Sequence, residues 1–269
     1  MNPSVDASYW DFSWYEMATI DIPTIIEYIL EQTGSKKLDY IGHSQGTLTL
    51  LIALDKFQKV QKSVRHFYGL GPIAFLQNIK SPLAYLANSV FAPKIVYQKW
   101  HQEILPSNEA GVWLSEKIGG LVAGGHGTSF LTLFVGFHPK RYQVKKMATY
   151  LAHFTSGASM QSVLHFAQMI RTGRIQKYSE IGDDDDKTGG SVDFTNIEDL
   201  KITFFCGRDD VFSDYDDVDR LGRILKEKNE VDIRKFDDFD HLSYLWGNTA
   251  FLDVYRVILS KMQDEDENI

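Results

Sequence analysis

Apolar residues recur along this chain in two patterns, and together they predict strands that alternate with helices. Short apolar runs are typical of strands buried inside a sheet. Strands that alternate with helices predict a parallel sheet, because a parallel connection is long enough to contain a helix. The predicted strands are Leu38–Ile41, Val64–Leu70, Ile202–Cys206 and Val231–Phe236.

Helical periodicity and helix-end signals predict the connecting helices. Ser13 and Glu16 have the spacing of a capping box, so a helix is expected to begin there. A second amphipathic helix follows and should end at Gly34, which can adopt a left-handed conformation. Thr47–Leu54 is apolar enough for a buried helix, and Val218–Glu227 has a helical pattern between the last two strands.

The pattern changes between Pro72 and about Asn196, where helical periodicity continues without convincing strands. Val163–Ile170 is one of the helices predicted in this stretch, which we interpret as a helical cap inserted into the sheet domain. Residues 1–75 would form the first part of the core, 76–195 the cap, and 196–269 the second part of the core.

The pentapeptide Gly42-His43-Ser44-Gln45-Gly46 lies between the first predicted strand and the buried helix. A Gly-x-Ser-x-Gly sequence in this context is typical of a nucleophile elbow, and both glycines are expected to prevent collisions at the sharp turn. Ser44 is therefore the predicted nucleophile, with the Gln45 backbone N–H as oxyanion donor and the His43 side chain supporting the turn from below. The alternative is a serine that only caps a helix.

A serine nucleophile needs a base and an acid that orients it, and this fold supplies them in the order Ser, Asp or Glu, His. His241 follows the last predicted strand and is the candidate base, although a loop histidine bonded to a carboxylate is the alternative. The loop after the third strand offers Asp210 as the acid and Asp209 as its rival. Asp214 is credible as the cap of the next helix.

Composition narrows the function classes. The chain has 269 residues and a formal net charge of −8, which disfavours a nucleic-acid partner. Its one cysteine, Cys206, cannot form an internal disulfide or a multi-cysteine metal site. We expect no metal and no cofactor, and we interpret the acidic run Gly182–Lys187 as a solvated loop in preference to a calcium site. Neither a signal peptide nor a membrane-spanning run is visible in the sequence.

Motifs spread over most of the chain surround these candidate residues. They are Trp10-Asp11-Phe12-Ser13 with Glu16-Met17, Tyr40 to Thr47, Gly69-Leu70-Gly71-Pro72, Leu164-His165-Phe166, Asp240-His241-Leu242 and Leu245-Trp246-Gly247. With them the chain resembles the acid lipases, the α/β-hydrolase group that includes gastric lipase and lysosomal acid lipase. By this resemblance Ser44, Asp210 and His241 align with the family's triad, and Asp210-Val211-Phe212-Ser213-Asp214 fits the family's frame better than one that starts at Asp209.

The resemblance implies hydrolysis of neutral lipid esters, triacylglycerols or sterol esters, at a lipid–water interface. It implies an acyl-enzyme, a cap over the site, and secretion or lysosomal residence. The chain departs from the family at its start, because the early strands and the loop with the first oxyanion donor are missing before Ser44. We therefore expect an N-terminally truncated lipase. The alternatives are a catalytically weak lipid-binding protein derived from a lipase, and an esterase or thioesterase for smaller substrates.

Overall fold

A parallel four-stranded sheet lies at the centre of the protein. The computed structural model describes residues 6–82, 84, 103–104, 117, 136, 138–152, 157–179 and 190–266. The four strands predicted from the sequence are all confirmed. Within the inserted region, two further strands of two residues each form a separate antiparallel pair. In chain order the strands are β1 (Leu38–His43), β2 (Val64–Leu70), β3 (Glu103–Ile104), β4 (Ala158–Ser159), β5 (Lys201–Gly207) and β6 (Glu230–Phe236).

Helices connect the strands and cover the sheet. The capping box at Ser13 and Glu16 is present, and Gly34 ends the second helix with φ +68°, as the sequence predicts. A turn of π-helix, Met17–Asp21, joins the first two helices, and another, Phe251–Tyr255, precedes the last. The α-helices are α1 (Trp14–Glu16), α2 (Ile22–Thr33), α3 (Gln45–Lys56), α4 (Gln58–Ser63), α5 (Val144–Ala152), α6 (Met160–Thr172), α7 (Tyr215–Leu225), α8 (Ser243–Trp246) and α9 (Arg256–Asp266).

The strand order is β1-β2-β5-β6, with every neighbouring pair parallel. α3 is buried along its whole central stretch, Thr47–Leu54, because it packs between the sheet and the first helices. β1 is an edge strand of the described sheet, and Ile41 on it is 52% exposed. Since parallel strands run in one direction, the segments that follow β1, β5 and β6 all emerge at the same edge of the sheet.

The inserted helical region lies between β2 and β5, as the sequence predicts. α5 and α6 are its described helices, and α6 contains the predicted helix Val163–Ile170. The acidic run Gly182–Lys187 lies outside the described residues. The region is joined to the start of the chain at Ser159, whose hydroxyl donates to the carbonyl oxygens of Trp10 and Phe12 at 2.7 and 2.6 Å.

A buried histidine of the inserted region makes a second junction with the start of the chain. The His165 ring stacks on the Trp14 ring with centroids 3.6 Å apart. Its Nε2 lies 2.7 Å from the carbonyl oxygen of Gln176, and its Nδ1 lies 2.9 Å from Oγ of Ser13, the capping residue of α1. Burial lowers the pKa of His165 to about 4, against an ordinary value of 6.5, so the ring is neutral in the folded protein at neutral pH.

This pKa predicts a pH-dependent stability. Between about pH 6.5 and 4 the unfolded chain binds a proton at His165 that the folded chain does not, so the free energy of unfolding falls with pH by about 1.4 kcal/mol per unit. The His165→Gln variant should therefore lose about 1 kcal/mol less than the native protein between pH 7.5 and 5.5. Urea unfolding at the two pH values measures this difference. His138→Gln, at an exposed position, is the matched control, and equal losses in all three proteins would contradict the prediction.

Candidate active site

Ser44 lies on a strained turn between β1 and α3. Its backbone has φ +55° and ψ −120°, a region that residues other than glycine rarely adopt. The turn is held because the Ser44 N–H donates to the Leu70 carbonyl oxygen at 3.0 Å and the Ser44 carbonyl oxygen accepts from the Thr47 N–H at 2.9 Å. This strand–turn–helix geometry is that of a nucleophile elbow.

The two glycines of the pentapeptide contribute differently to the turn. A Cβ on Gly42 would lie 2.9 Å from the backbone carbon and oxygen of Gly46 and from the Tyr40 ring, closer than real Cβ contacts allow. A Cβ on Gly46 would meet only the Tyr40 hydroxyl oxygen, at 3.9 Å. The expectation that both glycines prevent a collision is therefore right for Gly42 and wrong for Gly46.

Three side chains from three segments meet at the sheet edge where β1, β5 and β6 end. Nε2 of His241 lies 2.7 Å from Oγ of Ser44. Nδ1 of the same ring lies 2.9 Å from both carboxylate oxygens of Asp210. A hydroxyl, an imidazole and a carboxylate in this order can pass a proton from the serine to the histidine while the carboxylate holds the ring.

Asp210 is fully buried and heavily bonded. Its Oδ1 also accepts from the backbone N–H groups of Phe212 and Ser213, each at 2.9 Å, and the Tyr244 hydroxyl donates to Oδ2 at 3.1 Å. Burial by itself would raise the pKa of Asp210, but the charge of His241 and these hydrogen bonds outweigh it and hold the pKa below its ordinary value. The carboxylate is therefore ionised when it faces the imidazole.

The neighbouring aspartates lie in different places. Asp209 is exposed, and its backbone N–H donates to the Phe239 carbonyl oxygen at 3.1 Å. Asp214 is the N-cap of α7, where its side chain accepts from the Asp216 N–H at 2.9 Å, as the sequence predicts. Of the carboxylates considered for the acid, Asp210 is the one in contact with His241.

The His43 side chain contacts the backbone of His241. Its Nε2 donates to the backbone carbonyl oxygen of His241 at 2.8 Å, and the two rings lie 4.8 Å apart. Burial, followed by the charge of His241, lowers the pKa of His43 to about 4. The His43 ring is therefore neutral at neutral pH. A neutral imidazole still carries one N–H group, which is the donor that the His241 carbonyl oxygen requires.

Gln45 is the first residue of α3, so no carbonyl of its own helix can accept its backbone N–H. The helix dipole adds positive potential at this end, which favours a developing negative charge. The Gln45 side chain is turned aside and donates to Sδ of Met17 at 3.1 Å. This backbone N–H matches the chemistry of an oxyanion donor.

Sequence reasoning missed Tyr244, which is fully buried and contacts the Asp210 carboxylate. The only available signal was its spacing of three residues from His241, which places both near the same short helix, α8. Over the ranges that the structure describes, no group of three or more His, Cys, Asp or Glu residues could hold a metal ion. The helices within those ranges include none long and apolar enough to cross a bilayer.

The difference between the two glycines predicts unequal effects of alanine. Gly42→Ala should lower the free energy of unfolding by about 2 kcal/mol, because the added Cβ forces the turn apart. Gly46→Ala should leave it unchanged or raise it slightly, since alanine suits a helix better than glycine. Urea unfolding of both variants measures this. Equal destabilisation would show that the space at Gly42 is not what holds the turn.

Comparison with known proteins identifies the fold and the family. The family model of the α/β hydrolase fold matches residues 3–248. The esterase EaEST from Exiguobacterium antarcticum superposes with a TM-score of 0.50 at 10% identity, covering 96% of this chain and 76% of that one, which concerns the fold alone. Lipase lipl-1 of Caenorhabditis elegans is 31% identical over 98% of this chain and 68% of its own length.

The gastric triacylglycerol lipase of Rattus norvegicus is 29% identical, over 96% of this chain and 66% of its own length. The chain thus spans about two thirds of the length of these relatives. The family model covers most of the chain, and the lipase relatives align with nearly all of it. The chain belongs to the acid lipase family of the α/β hydrolases.

Proposed function

We propose that this protein is a serine carboxylic ester hydrolase that acts on neutral lipid esters. The observation that carries the proposal is the 2.7 Å contact between Oγ of Ser44 and Nε2 of His241, with Asp210 on the other side of the ring. Family membership supports an ester hydrolase, because the relatives that align with this chain are named lipases.

In the proposed acylation step, Ser44 Oγ attacks the ester carbonyl carbon while His241 Nε2 accepts the hydroxyl proton. The ionised Asp210 stabilises the imidazolium that forms. The negative charge that develops on the carbonyl oxygen is met by the Gln45 backbone N–H. When the intermediate collapses, the carbon–oxygen bond of the ester breaks, and the proton on His241 passes to the departing alkoxide to release the alcohol.

In the proposed deacylation step, water replaces the alcohol. His241 takes a proton from the water, whose oxygen attacks the acyl carbon bound to Ser44. The second intermediate collapses with return of the proton to Ser44 Oγ, and the carboxylic acid leaves. The balance of atoms is one ester and one water consumed, one alcohol and one acid formed, so the residues of this chain need no cofactor for it.

The finer substrate assignment rests on the relatives. The name of the rat relative states triacylglycerol lipase, which supports a triacylglycerol or a similar neutral ester as substrate. A lipid–water interface is then the proposed place of action, and a secreted or lysosomal location is the proposed compartment. The domain division at 1–75, 76–195 and 196–269 is part of the same proposal, with the inserted segment as the cap.

Active-site labelling tests the nucleophile. A fluorophosphonate probe should modify the folded native protein at Ser44 and should not modify Ser44→Ala, which also should hydrolyse a p-nitrophenyl ester at least about 10³-fold more slowly. Mass spectrometry of the labelled peptide locates the adduct. Native protein that is well folded and unlabelled, or a Ser44→Ala variant that retains hydrolysis, would refute the proposal.

The acid is tested by a matched pair of aspartates. Asp210→Asn should lower kcat by about 10³- to 10⁴-fold, because an amide at this position favours the wrong tautomer of His241. Asp209→Asn, at the exposed neighbouring position, should keep kcat within about two-fold. Steady-state kinetics on the same soluble ester measure both. The reverse ranking would make Asp209 the acid.

Burst kinetics separate this proposal from the lipid-binding alternative. An ester hydrolase releases alcohol continuously after the first turnover. One equivalent of alcohol without further turnover would favour a lipid-binding protein that is acylated but lacks sufficient oxyanion stabilisation. Faster turnover of short esters or thioesters than of emulsified triacylglycerol would favour the small-substrate alternative.

A further inference from the structure

Asp240 is a buried carboxylate beside the site to which the proposed mechanism gives no step. Its side chain is fully buried, directly before His241 in the chain. Oδ1 accepts from the backbone N–H groups of Leu242 and Ser243, each at 3.0 Å, and from the Ser243 hydroxyl at 3.0 Å. These bonds close the backbone around His241 into a tight turn.

The same carboxylate also holds the inserted region. Its Oδ2 accepts from the His138 backbone N–H at 2.7 Å, and the Tyr142 hydroxyl donates to Oδ1. Tyr142 is buried and lies in the segment before α5. One carboxylate therefore connects the turn of His241 to a segment about a hundred residues earlier in the chain.

Further contacts fix the same segment to the region around α8. The backbone of Tyr142 forms an antiparallel bridge with Gly247, and the Asn248 N–H donates to the Arg141 carbonyl oxygen at 2.7 Å. On the other side of the turn, His43 donates to the His241 carbonyl oxygen. The elbow thus contacts the His241 backbone directly, through the His241 carbonyl oxygen. The inserted region holds the same backbone indirectly, through the Asp240 carboxylate.

The imidazole position depends on this backbone. Nε2 must stay near Ser44 while Nδ1 stays near Asp210, and a displacement of about 1 Å can cost about 100-fold in rate. A buried carboxylate keeps its turn rigid only if its hydrogen-bond donors are present, since an unsatisfied buried acceptor is costly. Among the described residues of the inserted region, Tyr142 supplies a side-chain donor and His138 a backbone donor.

We propose that Asp240 is a positioning residue that, through the Tyr142 hydroxyl, anchors the His241 turn to the inserted region and sets the alignment of the imidazole with Ser44. Asp240 does not touch the reacting atoms. The inserted region therefore takes part in the chemistry by holding the base, in addition to any role as a cover. This inference rests on the proposed function, because it assigns His241 as the base.

Tyr142→Phe is the principal test, since it removes one hydroxyl and keeps the ring. On a soluble short-chain p-nitrophenyl ester, kcat should fall roughly ten-fold with KM unchanged, because alignment of the base is altered and binding is not. Tyr215→Phe is the matched control: it removes a tyrosine hydroxyl that donates to the Phe236 backbone carbonyl oxygen, at 2.7 Å, and not to Asp240. Its kcat should stay within about two-fold of native.

Asp240→Asn gives the second arm. The substitution replaces one accepting carboxylate oxygen by an amide N–H₂ group, which faces N–H donors and cannot accept from them. We therefore expect kcat to fall roughly 100-fold. If the two residues act as one unit, the Asp240→Asn, Tyr142→Phe double variant should be no slower than Asp240→Asn alone. Additive losses would overturn the anchoring role of Tyr142. If Asp240→Asn does not fold, Tyr142→Phe and its control decide the result.

Proton NMR gives a readout that does not depend on turnover. The proton on Nδ1 of His241, which is hydrogen-bonded to Asp210, should give a downfield signal in native protein and in Tyr215→Phe. In Tyr142→Phe this signal should broaden or vanish. A folded Tyr142→Phe with native kcat and a native signal would overturn the inference. Failure of the proposed function is seen separately, as native protein that neither hydrolyses esters nor reacts with the fluorophosphonate probe.

Discussion

The candidate site depends on the buried contact between Asp210 and His241. A carboxylate with no exposed surface is stable there only because it faces the imidazole and accepts two backbone N–H groups and a tyrosine hydroxyl. Those donors come from the loop after β5 and from α8, so the carboxylate also joins the segments that follow β5 and β6. Ser44, from the end of β1, completes the set because parallel strands all end at the same edge.

The elbow adds a second constraint. Ser44 keeps a left-handed backbone that costs on the order of 1–3 kcal/mol, and its hydrogen bond to Leu70 together with the close approach of Gly42 and Gly46 maintains it. Burial of α3 along its length offsets that cost by fixing the helix that begins immediately after the serine. The backbone strain at Ser44 is therefore linked to the core packing of α3.

Among the described residues, the places where the inserted region is bound to the core include the start of the chain and the His241 turn. Ser159 and His165 connect it to the start of the chain through backbone carbonyls and the cap of α1. Tyr142 connects it to Asp240 beside His241. At each junction, buried polar groups are hydrogen-bonded across the boundary, so the arrangement of the inserted region and that of the site are coupled.

The sequence by itself determined the strands, the principal helices, the capping box, the stop at Gly34 and the position of Ser44 and His241, because each is a local pattern of period, turn residue or motif. It left Asp210 and Asp209 both open from loop position alone, since adjacent residues differ in direction and burial only after folding. It misjudged Gly46, and it gave no sign of Tyr244 or of Tyr142 at Asp240. Those contacts join residues distant in the chain, and only the tertiary structure, by packing the inserted region against the His241 turn, decided which polar groups meet.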